Sequence, residues 1–233
     1  MDVDDDEFDD FATRRLELYY DRDFDIDRQR HDYVAYDFQW VARLVEDVEI
    51  ADGSHGSTMI ASAVLYWFPQ GAETPHFVDL CDSENADLGL IAHVIADRRG
   101  LRDEFRMHRR RVRPVLIVEQ LTVVAEHRSH GIGPQFISAA IAQIVGNEPT
   151  LVALYPGPLV ELDQETLEPL NEPTSADWDG IRHFWTKVGF VHARDGVAVA
   201  MATDLALCAE FGMQSSFASV FSDPWPLANC DEN

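Results

Sequence analysis

Lysine is nearly missing from this sequence: Lys187 stands alone in 233 residues, against 17 arginines. Cationic side chains total 18 and acidic ones 42, a formal net charge of −24. Such an excess repels itself in dilute buffer and keeps a protein soluble where salt screens it, so the composition predicts adaptation to a salt-rich interior. It also predicts no binding to nucleic acid, because phosphate backbones attract the opposite sign. Cysteine is scarce too. Cys81, Cys208 and Cys230 are odd in number and form no CxxC pair, which excludes a disulfide framework and leaves ordinary reduced thiols. The longest apolar run, "MIASAVLYWF", is far too short to cross a bilayer, so no membrane partner is expected. The opening "MDVDDDEFDD" has neither a basic nor an apolar region of the kind that marks a secretory signal, and the expected location is cytoplasmic.

Apolar residues are plentiful: the hydrophobic content of 46%, with 13 Phe and 5 Trp, predicts a packed globule rather than a disordered chain. The length suits one substantial domain. Seven acidic side chains in residues 1–10 read as a solvated tail, 11–205 as the domain, and 206–233 as a weakly ordered tail. Within the domain, "RRLELYY" reads as a first strand. Val34, Phe38, Val41 and Val45 fall at helical spacing and predict an amphipathic helix between Asp27 and Asp47. "VEIADGSHGSTMIASAVLYWF" predicts two strands around a Gly- and Ser-rich turn, and residues 86–108 a helix broken at Gly100. Beyond these, "LVALYPG" is a short strand, "GIRHFWTKVGF" a short helix, and "VHARDGVAVAMATDL" a hairpin around Asp195–Gly196.

The centre of the sequence carries the sharpest signal. "PVLIVEQLTVVA" is β-branched and apolar, a buried strand. "FISAAIAQIVG" sets Ile137, Ile141 and Ile144 on one helical face, with Gly146 as a stop. Between them, "EHRSHGIGPQF" is a glycine-bearing turn that opens a helix. A turn of that kind presents backbone N–H groups at a helix N-terminus, a geometry that binds anions. His127 and His130 lie three apart with no third ligand at metal-like spacing, so they read as loop residues and no metal is expected.

Arg128-Ser129-His130-Gly131-Ile132-Gly133 resembles the R/Q-x-x-G-x-G/A signature of the GNAT acyltransferase superfamily. "HFWTKVGF" is similar to that family's "xxYYxxLGF" segment, with Lys187, Gly189 and Phe190 in register. The likeness runs clearly over residues 113–203 and loosely over 12–70, and the order of elements agrees with it. It implies an α/β, GNAT-like acyl-CoA N-acyltransferase fold, with a mixed, mostly antiparallel sheet flanked by helices. It implies acetyl-CoA as co-substrate, acetyl transfer to a small-molecule or peptide amine, and direct attack without a covalent enzyme intermediate. The backbone of Leu121, Thr122 and Val123 would pair with the pantetheine arm. Arg128, Ser129, His130, Gly131, Ile132 and Gly133 would line the pyrophosphate. Pro134 lacks an N–H, which removes one donor, but its fixed φ suits a first helical turn.

Glu119 lies where many relatives carry an acidic residue, and it reads equally as a catalytic base or as a solvated strand glutamate. The family's frequent general acid, a tyrosine four residues before the glycine of the GF segment, is here Trp185, preceded by Phe184; neither can donate a proton to a thiolate. His183 is a substitute candidate, with a surface histidine as its plainer reading. A non-catalytic acyl-CoA-binding or partner-binding module is the alternative function. The segment 78–99 is longer than the usual family connection and reads as an insertion. The cluster 98–113 holds eight arginines and reads as charge balance on an acidic surface, or as a contact for the 3′-phosphate of coenzyme A or another anion.

Overall fold

The computed structural model describes residues 14–20, 39–49, 54–73, 76–106, 114–158 and 173–205. The acidic stretch 1–10, the segment 206–233 and Arg109, Arg110, Arg111 and Arg113 of the arginine cluster lie outside the described residues. The strands are Arg14–Tyr20 (β1), Gln39–Glu49 (β2), His55–Phe68 (β3), Ala96–Asp97 (β4), Gly100–Leu101 (β5), Val115–Val123 (β6), Leu151–Leu154 (β7), Val191–His192 (β8) and Ala198–Met201 (β9). The helices are Phe77–Glu84 (α1), Ala86–Ile95 (α2), Ile132–Val145 (α3) and Ser175–Val188 (α4).

Among the described residues, seven strands form one sheet in the order β1-β2-β3-β6-β7-β9-β8, and β4 and β5 form a separate small ribbon. Every pair in the large sheet is antiparallel except β6 with β7, which run parallel. Alternation along the central strands divides the interior between two faces. Val115 and Ile117 pack with Phe77, Cys81, Leu88 and Ile91 of the α1–α2 pair. Leu116 and Val118 pack with Phe136, Ile137 and Ile141 of α3 and with Trp185 and Val188 of α4. The sheet is thus flanked by helices on both sides, as expected, and no helix among the described residues is long and apolar enough to cross a membrane.

Several local expectations change. Residues 39–47 are strand, not helix: Val41 faces Tyr19 on one side and Val64 on the other in the ladder. A spacing of four satisfies both a 3.6 and a 2.0 period, so Val41 and Val45 share a face either way, and pairing with two neighbouring strands decides the matter. Val34 and Phe38 lie outside the described residues. The predicted helix over 86–108 stops at Ile95. There the chain turns through Gly100 at φ 101°, with the Arg99 N–H on Asp97 Oδ1 at 2.7 Å, and ends in a 3-10 turn at Asp103–Phe105. α4 begins earlier than expected because Thr174 and Asp177 form a reciprocal capping box.

Candidate functional site

β6 has two different halves. Val115 to Val118 pair with Leu151 to Leu154 of β7, and there the parallel pairing ends. Residues 119–123 continue along β3 alone, so no described strand lies on their β7 side. The pairing with β3 also changes register at this point: Leu65 faces Val118 and Val64 faces Gln120. Glu119 is therefore the extra residue of a β-bulge, at the place where β6 and β7 part. The bulge shifts the phase of the strand. Val118, Leu121 and Val123 all pack toward α3 and α4, although 118 and 121 are an odd number apart. Bulges of this kind re-aim a side chain, and the side chain re-aimed here is a carboxylate.

Glu119 is exposed, but two groups hold its carboxyl. The Asn85 amide donates to its Oε1 at 2.5 Å, and Tyr66, itself buried on β3, hydrogen-bonds to it. Desolvation by the packed surroundings pushes the Glu119 carboxyl above the ordinary glutamate range. The negative charges of Asp87 and Glu84 push the same way, and the Asn85 and Tyr66 hydrogen bonds act against them. Asn85 and Tyr66 were not legible as site residues. Asn85 between two helical stretches carries the signature of an N-cap, but nothing local in the sequence brings it to Glu119.

The glycine turn follows directly. After a 3-10 turn at Ala125–His127, Ser129 (φ 65°) and Gly131 (φ 74°) take left-handed conformations, and Gly131 is the N-cap of α3. Apart from its chain neighbours, no atom of the described residues lies within 4 Å of the position a Cβ on Gly131 would take. Arg128 folds back, its Nε donating to the Val123 carbonyl at 2.9 Å, and ties the turn to the end of β6. Ser129 and His130 are exposed, whereas Ile132 is buried. Gly133 is buried for a different reason: a Cβ there would lie 3.0 Å from Phe184 Cε2 and 3.4 Å from Val123 Cγ2. Its missing side chain lets α4 sit against the first turn of α3.

The two catalytic candidates are not brought together. Glu119 contacts the α1 and α2 side of the sheet, whereas His183 is exposed on α4, which packs on the other face. Trp185 is 7% exposed and wedged edge-on between Phe184 and Phe190 at 4.9 and 5.2 Å, a core residue with no proton to give a thiolate. Cys81 is no nucleophile either: burial, with Asp82 and Glu84 adding to it, pushes its thiol up to about 12.

No family model matches the sequence, and no curated protein matches it. Solved structures of similar arrangement do exist. Arabidopsis thaliana NAA60 in complex with acetyl-CoA is 10% identical, at a TM-score of 0.40, over 81% of this chain and 98% of that one. The KacTA-DNA complex is 11% identical, at 0.38, over 83% and 96%. AtaT complexed with acetyl-methionyl-tRNAfMet is 12% identical, at 0.35, over 84% and 98%. The last two correct one expectation: similar proteins are found with DNA and with a tRNA, so the exclusion of nucleic acid does not hold. Net charge sums over a whole chain, whereas a polyanion meets one local surface, and here eight of the arginines sit within residues 98–113. The fold class itself rests on the strand order and helix layers described above.

Proposed function

We propose that this chain is a GNAT-type acyltransferase that moves the acetyl group of acetyl-CoA to an amine by direct transfer. The observation that carries the reading is the parting of β6 from β7 at a bulged glutamate, next to an open glycine turn that starts a helix. The β7 side of residues 121–123, where no described strand lies, offers main-chain groups to a pantetheine arm in the manner of an added strand. The turn from Ser129 to Gly131 offers N–H groups and a helix N-terminus to a pyrophosphate.

Glu119 then faces the harder proton problem. An ammonium must lose its charge before its nitrogen can attack, and a carboxylate at the split is placed to take that proton, directly or through a water. The neutral nitrogen attacks the thioester carbon, the C–S bond breaks as the C–N bond forms, and the second proton shed by the nitrogen ends on the departing thiolate. A thiol of ordinary acidity, with a pKa of about 8.5, leaves without a strong acid, so the lack of a phenol at Trp185 does not stop the reaction. The same lack also favours a second reading, a module that binds acyl-CoA and does no chemistry. Thiol release from acetyl-CoA, followed across a panel of small amines, lysine peptides, free peptide N-termini and aminoacyl-tRNA, separates the two. Amine-dependent release is expected. Calorimetric binding of acetyl-CoA with no release in any arm would leave only the binding module.

A further inference from the structure

The inserted helical pair reaches the split in the sheet. We infer that Asn85, from that insertion, is a positioning residue for Glu119, joining the start of α2 to the carboxylate and fixing both its direction and its ionised form. The inference rests on the reading of Glu119 as the base.

The geometry leaves Asn85 little choice. It stands between α1 and α2 as the C-cap of one and the N-cap of the other, and its own N–H bonds the Cys81 carbonyl at 3.3 Å. Its Oδ1 accepts the Leu88 N–H at 2.9 Å. A backbone N–H can be met only by the amide oxygen, so the NH₂ end must face Glu119. That end only donates, and it donates more strongly to the ionised carboxylate than to the acid. Tyr66 bonds the same carboxyl from β3, while Glu84 and Asp87 of the helical pair oppose its ionisation. Without Asn85, Glu119 would sit among like charges with one hydrogen bond fewer, and would hold its proton at pH values where a base must be free.

The experiment separates capping from positioning. Asn85→Asp keeps a good N-cap, removes the donor and adds a negative charge, while Asn85→Ser keeps a cap and exchanges the amide that reaches Glu119 for a hydroxyl on a shorter side chain. Carbon-13 NMR of glutamate-labelled protein follows the Glu119 carboxyl, assigned by its disappearance in Glu119→Gln. The titration midpoint should move to higher pH in Asn85→Ser and further in Asn85→Asp, with melting temperatures near that of the parent. The acid limb of acetyl-CoA turnover should move with it, lowering turnover on that limb about tenfold for each unit moved. An unmoved midpoint in Asn85→Asp overturns the inference and leaves Asn85 a helix cap. Parent-like turnover in Glu119→Gln instead removes the base, and with it any catalytic meaning for Asn85, however the carboxyl titrates.

Discussion

At the scale of single residues, Glu119 carries a conflict between chemistry and stability. Its folded pKa lies above its unfolded one, so the native state binds the proton more tightly. Stability is then greatest below the unfolded value and falls as pH rises through the folded value, above which the penalty is fully present. Glu119→Gln removes the charge and can still accept from Asn85 and Tyr66. The expected outcome is a melting temperature at neutral pH equal to or above the parent's, with the difference vanishing in acid. Turnover should fall roughly 100-fold or more near neutrality. A destabilised Glu119→Gln would contradict the electrostatic account, and a fully active one the catalytic account. Gly131 allows a second test. Any side chain there takes a strained left-handed conformation, worth about 1–2 kcal/mol, but enters open space. Gly131→Ala and Gly131→Glu should melt close together, while calorimetry shows acetyl-CoA binding weakened in Ala and lost in Glu. Equal affinities in the two variants would remove the turn from the site.

At the scale of elements, what the sequence disclosed and what it withheld have different physical causes. The glycine turn, β6, α3 and the hairpin around Gly196 were legible because each is specified by its own neighbours: β-branched runs, apolar spacing, and glycines at positive φ. β2 was not, because a spacing of four fits both periods and only partner strands choose between them. The bulge at Glu119 and the reach of Asn85 were invisible, since both are relations between segments distant in sequence: β3 with β6 for the bulge, and residues 34 apart for Asn85 and Glu119. Gly133 belongs to this second kind. In the sequence it reads as part of an anion-binding turn, whereas in the fold its bare Cα is what α4 rests on through Phe184. Gly133→Val should therefore press on Phe184 and lower stability by about 1–3 kcal/mol, the usual cost of overpacking. Phe184→Ala should relieve that pressure, so the double variant should lose less than the sum of the single ones. Denaturant melts of all four proteins check this, and strict additivity would mean that the two residues do not meet.

At the scale of the whole molecule, charge is the dominant fact. The described ion pairs are mostly at the surface, such as Arg14 with Glu46 at 2.9 Å and Arg106 with Asp103 at 3.1 Å. Exposed pairs of this kind contribute little each, and cations too few to match the acids leave a net charge of −24 to repel itself. Folding brings those charges closer together, so the repulsion weighs on the native state more than on the unfolded chain. Salt weakens both the favourable pairs and the net repulsion. The repulsion acts over longer distances and sums over every surplus acid, so screening should relieve more than it removes. At about 1 M salt the Debye length is only roughly 3 Å, shorter than the spacing of most surface charges. The melting temperature should therefore rise from dilute buffer to about 1 M sodium chloride. It should rise comparably with potassium chloride, because screening depends on ionic strength and not on the cation. A flat or falling melting temperature would mean that net repulsion does not govern the response to salt. A rise with one cation alone would indicate specific binding rather than screening.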